Sequence, residues 1–383
     1  MSVQSVSKHD YIDAIRGLAI ILVVMTHASQ YVKPLSDFLQ RIMVEGARGV
    51  QLFYVASAVT LCMSWAARKP HEQNPILNFY IRRFFRIAPM FYLAIIGYLI
   101  FNGFAATYWA PNGIEWWFVP VTAMFLHGLH PETINSVVPG GWSIAVEMTF
   151  YLVFPFLMRI RKAYYFLGIL LVCVLLQRLN SYMSVRIFPY PEGQEYMAVN
   201  FAALNFISQA PVFLMGAFAY LFLTKIRVSD SKMFIVGGLL FCFLSIKFWT
   251  LSYKPVSHDV YAGAMFAVMF VFVAYYPVRI IVNRFMIGLG KLSFSIYLTH
   301  FAVLSVFAKA GFISFLGDGN KESVAYCFLV LMASAGVSLV TYKFIERPGV
   351  SLGRRLIERL EKTNSEGSSD KSVVKLSDDR CAQ

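Results

Sequence analysis

Ten separate apolar runs divide this chain, near residues 11–32, 47–66, 84–104, 141–158, 163–180, 201–223, 233–251, 259–278, 292–310 and 323–343. Each approaches the roughly 20 residues that a helix needs to cross a hydrocarbon layer about 30 Å thick. Lipid satisfies no backbone N–H or C=O, so such runs commit the chain to helices that pair their own backbone groups. Composition agrees, with 58% hydrophobic and 14% charged residues, against roughly 45–50% and about 25% in soluble domains. The 35 Phe, 21 Tyr and 6 Trp exceed what a soluble core of 383 residues could hide. The expected fold is an all-α polytopic membrane protein of about ten transmembrane helices plus one short re-entrant or interfacial segment. Residues 1–350 would form the transmembrane domain and 351–383 a cytoplasmic, largely disordered tail.

The net charge of +13 first suggests nucleic acid, but Lys and Arg also accumulate in cytoplasmic loops of polytopic proteins. The residues 116–130, WWFVPVTAMFLHGLH, form an eleventh and shorter apolar stretch. If that stretch does not cross and the N-terminus is cytoplasmic, 24 of the 34 basic residues fall inside and nine outside, leaving only Arg16 within a span. A crossing there would invert every later loop against the strongly basic Arg68–Arg86 loop. Both termini are therefore expected in the cytoplasm, with lipid rather than nucleic acid as the charge's partner. The cysteines (Cys62, Cys173, Cys242, Cys327, Cys381) are scattered without metal-ligand spacing, so free thiols and no metal are expected. One Lys precedes the first run and no small-residue cleavage site follows it, which reads as a retained span.

Charged groups inside a span cost roughly 2.5–3.5 kcal/mol each on insertion scales, so exceptions to the apolar pattern carry the information. In the first run Arg16 and His27 lie eleven residues apart. At about 100° per residue they share one helix face, about 16 Å apart in depth. Arg83 and Arg86 are neighbours on one face of the third run, with Arg82 adjacent, and guanidinium forks suit phosphate oxygens. Headgroup anchoring would explain the same arginines. Glu147 follows Pro139-Gly140-Gly141-Trp142-Ser143, a turn at which Ser143 can cap a helix. That carboxylate wants an Arg or His on another helix, as catalyst or as a structural ion pair. His300 sits mid-span and could hydrogen-bond a Tyr or Ser across helices, while Glu346 lies beside Lys343 and Arg347, where a local salt bridge would suffice.

Taken in order, RGLAIILVVMTH, GVQLFYVASAVTL, RRFFRIAP, GGWSIAVEMTFYLVFPF, SFSIYLTHF and YKFIERP resemble the integral-membrane acyltransferase family 3, which includes bacterial surface-polysaccharide O-acetyltransferases. The matching pieces run over residues 11–348. The resemblance implies an enzyme that takes an acyl group from cytoplasmic acetyl-CoA, or another acyl-CoA, and places it on a glycan hydroxyl handled at the outer face of the bacterial inner membrane. It implies His27 as the catalytic histidine, with Glu147 and Glu346 on acidic positions of the same pattern. Arg16, Arg83 and Arg86 would meet the donor, and Trp142, Ser143 and His300 are further substrate-contacting candidates. Ser57-Ala58 stands where members often show Ser-Gly. Some relatives carry an extra extracytoplasmic esterase-like domain, which is not expected here.

A carboxylate, Glu147 or Glu346, could orient the His27 imidazole, and direct transfer or an acyl-histidine would both use it. A transporter or flippase lined by the same charges is the alternative, although no duplicated halves are evident. A scaffold would leave the buried Arg, His and Glu without purpose. A homo-oligomer stays open. The residues 181–200, SYMSVRIFPYPEGQEYMAVN, form the longest outer connection expected and could meet a sugar.

Overall fold

The computed structural model describes residues 10–160, 162–225, 230–250 and 257–363. Its helices in chain order are α1 (Asp10–Ala28), α2 (Asp37–Glu45), α3 (Gly49–Arg68), α4 (Pro75–Asn102), α5 (Phe118–Ala123), α6 (Trp142–Leu157) and α7 (Ala163–Ile187), followed by α8 (Tyr196–Leu204), α9 (Phe206–Lys225), α10 (Asp230–Thr250), α11 (His258–Tyr275), α12 (Arg284–Lys309), α13 (Phe312–Leu316) and α14 (Asn320–Thr341). Among the described residues eight helices are long and apolar enough to cross a membrane, and Trp142–Leu157 and Ile235–Ile246 are shorter apolar helices. Each of the ten apolar runs thus becomes helix, the run 201–223 being divided at Asn205 between α8 and α9, as an all-α polytopic membrane protein requires. Residues 116–130 form two short pieces, α5 and a 3₁₀ turn at His127–Leu129. Six residues rise only about 9 Å, far short of a bilayer.

The closest helix pair is α1 with α12. A Cβ on Gly17 would overlap the Met286 carbonyl oxygen, and one on Gly290 would overlap that of Asp13. Small residues facing each other let backbones approach where lipid supplies no hydrophobic drive. Helix carbonyls point toward the C-terminus, so these reciprocal contacts set Gly17 and Gly290 level on two parallel helices. The Ser57-Ala58 site on α3 achieves its close approach from the other side, because Gly216 of α9 fits against Val55 and Ala58, where a Cβ would come within 2.7 Å of the Val55 oxygen.

Hydrogen bonds tie the two ends of the bundle. At one end the Lys33 amide donates to Asp318 at 2.8 Å and the Ser323 hydroxyl donates to Val32 O at 2.7 Å. At the other, Glu361 accepts from the backbone N–H groups of Gln73 and Asn74, just ahead of α4, and from Asn78 Nδ2 in its first turn at 2.7 Å. This contact explains one departure from expectation. The polar C-terminal segment continues α14 as helix through Thr363, where Glu361 is tied to the turn before α4; the rest of the expected disordered tail lies outside the described residues. Likewise α7 continues to Ile187 and α8 begins at Tyr196, so much of the expected outer connection 181–200 is helical. Asn180, just ahead of that extension, donates to Ala202 O and Ser208 Oγ at 2.9 Å and anchors α7 to the α8–α9 junction.

Candidate active site

Three helices and the end of α14 bring the charged residues to one place. A cavity of about 70 Å³ is lined by Arg16 of α1, Arg83 and Arg86 of α4, Ser143, Glu147 and Tyr151 of α6, and Tyr54 and Ser57 of α3, and Tyr297 of α12 lines it too. At roughly 10–15 Å³ per water it holds on the order of five water molecules. Positions 143, 147 and 151 form an i, i+4, i+8 stripe, which points all three side chains the same way.

The three arginines of the RRFFR segment have different partners. Arg82 faces away and holds Glu72 bidentately at 2.5 and 3.1 Å. Arg86 pairs with Glu346, whose second oxygen accepts from Ser295 Oγ at 2.8 Å. Glu346 ends a π-helical turn, Tyr342–Glu346, that interrupts the last helix. Such turns shift register by a residue and often occur at functional sites; here the carboxylate is buried toward α4 and α12. The local salt bridge with Lys343 or Arg347 is therefore not formed; Glu346 pairs across helices. Arg83 lies over the Phe79 and Tyr151 rings at 5.8 and 5.9 Å, its Nε buried and without a hydrogen bond. Among the described residues neither Arg16 nor Arg83 makes an ion pair.

Glu147 accepts from Ser57 Oγ and from Tyr151 OH, both at 2.6 Å. Three guanidinium groups against one lining carboxylate, with Glu346 behind Arg86, leave the cavity cationic. Buried charge without a partner is costly, so the cavity suits an anionic ligand, and fixed guanidinium forks suit phosphate in particular.

His27 and His300 form a second group. Their ring centroids are 5.3 Å apart, and Phe301 covers both at 4.4 and 4.1 Å. The pairing follows from the helix crossing, since His27 is ten residues beyond Gly17 and His300 ten beyond Gly290 on parallel helices. His300 Nδ1 lies 2.7 Å from Tyr297 O and 3.2 Å from Ile296 O. Two carbonyl acceptors require a proton on Nδ1, so His300 bonds its own helix rather than a Tyr or Ser across helices. His300 Nε2 is then a bare acceptor, and both it and His27 Nδ1 are buried without partners. Neither Glu147 nor Glu346 makes a hydrogen bond to His27, whose ring neighbours are His300 and Phe301; the expected carboxylate orienter is absent from the described contacts because both acids are engaged in the arginine cavity.

Tyr297 separates the two groups. Its ring lies 5.8 Å from His300, while its hydroxyl donates to Gly140 O at 2.9 Å and accepts from Ser143 Oγ at 2.8 Å. Ser143 is thus not the helix cap: α6 starts at Trp142, after Gly141. Trp142 sits edge-on to Tyr54 at 6.4 Å, outside the cavity lining. Gly140 has φ +79, and a Cβ there would lie 3.1 Å from Tyr297 Oη and 3.2 Å from Phe301. Gly140→Ala should cost about 1–2 kcal/mol from the left-handed backbone alone, and more from the displaced Tyr297. Thermal unfolding of the purified variant checks this. Behind the turn, His127 Nε2 donates to Gly141 O at 2.9 Å, so the segment 116–130 buttresses the site, a role its aromatic composition did not reveal.

Ser57, Tyr151, Ser295 and Tyr297 are the site residues that sequence reasoning missed. The i+4 stripe from Ser143 and the equal ten-residue spacings Gly17–His27 and Gly290–His300 were the available signals.

The chain matches the acyltransferase domain family over residues 9–343. It is 23% identical over 371 residues to the peptidoglycan O-acetyltransferase OatA of Listeria monocytogenes, covering 88% of this chain and 55% of that protein. It is 21% identical over 380 residues to putative O-acetyltransferases of Staphylococcus aureus strains COL and N315, covering 88% of this chain and 56% of each. The chain spans about half the length of these curated relatives. No solved structure matches it. With the match running through the arginine cavity and the histidine pair alike, this multi-pass membrane protein belongs to the acyltransferase 3 family.

Proposed function

We propose that the protein is an O-acetyltransferase of the bacterial inner membrane, with both termini cytoplasmic, that moves an acetyl group from cytoplasmic acetyl-CoA to a hydroxyl of a cell-surface glycan or its lipid-linked precursor. The observation that carries this reading is the cationic cavity of Arg16, Arg83 and Arg86, joined through α1 to a buried histidine pair in which His27 Nδ1 and His300 Nε2 have no partner. Phosphates of the donor would occupy the guanidinium cavity. The pantetheine arm would pass Tyr297 and present the thioester at His27, about 16 Å along α1 from Arg16.

In the direct route, His27 nitrogen takes the proton of the acceptor hydroxyl as its oxygen attacks the thioester carbonyl. The tetrahedral intermediate collapses with cleavage of the C–S bond, and the coenzyme A thiolate leaves and takes up a proton. Glu346 and Glu147 act on this reading by holding Arg86 and the Ser57–Tyr151 pair in place rather than by orienting the imidazole. Mass spectrometry of surface glycans from cells with and without the gene tests the proposal: loss of O-acetyl groups is expected, and an unchanged acetyl content would refute it.

A further inference from the structure

A second cavity, of about 260 Å³, lies away from the arginine cluster, between the C-terminal half of α7, α8 and the starts of α9 and α11. It sits at the His27 end of the bundle, since Asp259 at the start of α11 pairs with Arg48, and the adjoining Gly46 and Gly49 pack on residues 19–25 of α1. Its size approaches the roughly 300–1,000 Å³ usual for small-molecule sites. The polar lining is Gln177, Ser181, Ser208, Ser257 and Asp259, with small apolar side chains completing the wall.

Most of the hydroxyl and amide hydrogens of this lining are already engaged. Ser181 Oγ donates to Gln177 O at 3.0 Å and Ser208 Oγ donates to Ala202 O. Gln177 Nε2 donates to Ser181 Oγ at 3.3 Å, and Gln209 Nε2 to Asp259 Oδ2 at 3.0 Å. Chiefly lone pairs remain. Gln177 is only 5% exposed, and its Oε1 is buried without any partner. An unsatisfied buried acceptor costs about 1–3 kcal/mol, so it marks a place where a donor is wanted. Arg48 balances the Asp259 charge, which removes the need for a cation, and a wall of acceptors repels phosphate.

We propose that this cavity is a subsite for a neutral, hydroxyl-rich ligand, a sugar unit of the acceptor glycan. Sugar O–H groups would donate to Gln177 Oε1 and the serine and aspartate oxygens, while the C–H face meets Val185 and Val199. Hydrogen bonds lead from this subsite toward the donor cavity: Asp259 accepts from Gln209, whose Oε1 accepts from Gln51 Nε2 at 3.0 Å, and the preceding residue, Val50, lines the arginine cavity. That the ligand is the acceptor rests on the proposed acetyl transfer; the preference for hydroxyl donors does not.

The test is calorimetric titration of chitopentaose and maltopentaose into the full-length protein in lipid nanodiscs, with coenzyme A titrated into the same samples. Wild type should bind at least one oligosaccharide. Gln177→Met and Ser181→Ala should each weaken it about five- to tenfold, with unfolding midpoints like the wild type's and inorganic phosphate giving no competition. Failure of wild type to bind either oligosaccharide, or unweakened binding by both variants, overturns the proposal. Absence of coenzyme A binding would instead strike the donor reading and leave the glycan result standing on its own.

Discussion

His27→Ala should reduce acetyl transfer by about 10² to 10⁴, the contribution of a well-placed general base, or abolish it where an acyl-histidine forms. The loss should fall on turnover and not on donor binding, because His27 lies apart from the arginine cavity that would hold the donor phosphates. The substitution also empties a space bounded by the His300 and Phe301 rings. Added imidazole should enter that space and restore part of the rate, which a purely structural defect would not allow. Membranes given labelled acetyl-CoA and assayed for labelled glycan provide the measurement. Transfer by the variant at the wild-type rate would remove His27 from the mechanism.

Gly290→Leu should be the most damaging substitution to the fold, and Gly17→Leu close behind. Each would drive a side chain into a backbone carbonyl of the facing helix. Overpacking a tight contact typically costs about 1–3 kcal/mol and sometimes more; here the clash is with backbone, so relief requires moving a helix. Parting α1 from α12 also parts His27 from His300 and draws Arg16 away from Tyr297 and Glu147. Low recovery of folded protein from membranes is expected, and any recovered protein should lack transfer activity. Gly288→Ala, a position on α12 with open space around it, is the control and should behave as wild type in both respects.

Much of this was legible from the chain. The ten helices follow from apolar run length, since lipid forces each run to satisfy its own backbone. Arg16, Arg83, Arg86 and Glu147 stood out as charges in apolar surroundings, and the structure gathers them in one cavity. The partners did not show. Nothing local to Glu346 says that a π-helical turn aims it at Arg86 on a helix some 260 positions away, and Lys343 and Arg347 offered a nearer pairing. His127 gave no sign that it steadies Gly141, because that contact depends on how a short non-crossing segment folds back against α6. Gln177 is one polar residue in an otherwise largely apolar stretch of α7. Its significance comes from the α8–α9 junction that packs over it. In each case sequence spacing fixed which face of a helix a residue takes, and helix packing decided what that face meets.

On the proposed function, the guanidinium cavity receives the phosphates of an acyl-CoA donor. Titration of coenzyme A into the purified protein, followed by calorimetry at two ionic strengths, addresses it most directly. Saturable binding is predicted that weakens with salt, as charge-assisted phosphate contacts should. It should be lost in Arg83→Ala/Arg86→Ala while Arg82→Ala, whose guanidinium belongs to Glu72, retains it. Undiminished binding of coenzyme A by the Arg83→Ala/Arg86→Ala protein, or no binding by the wild type, would contradict the account.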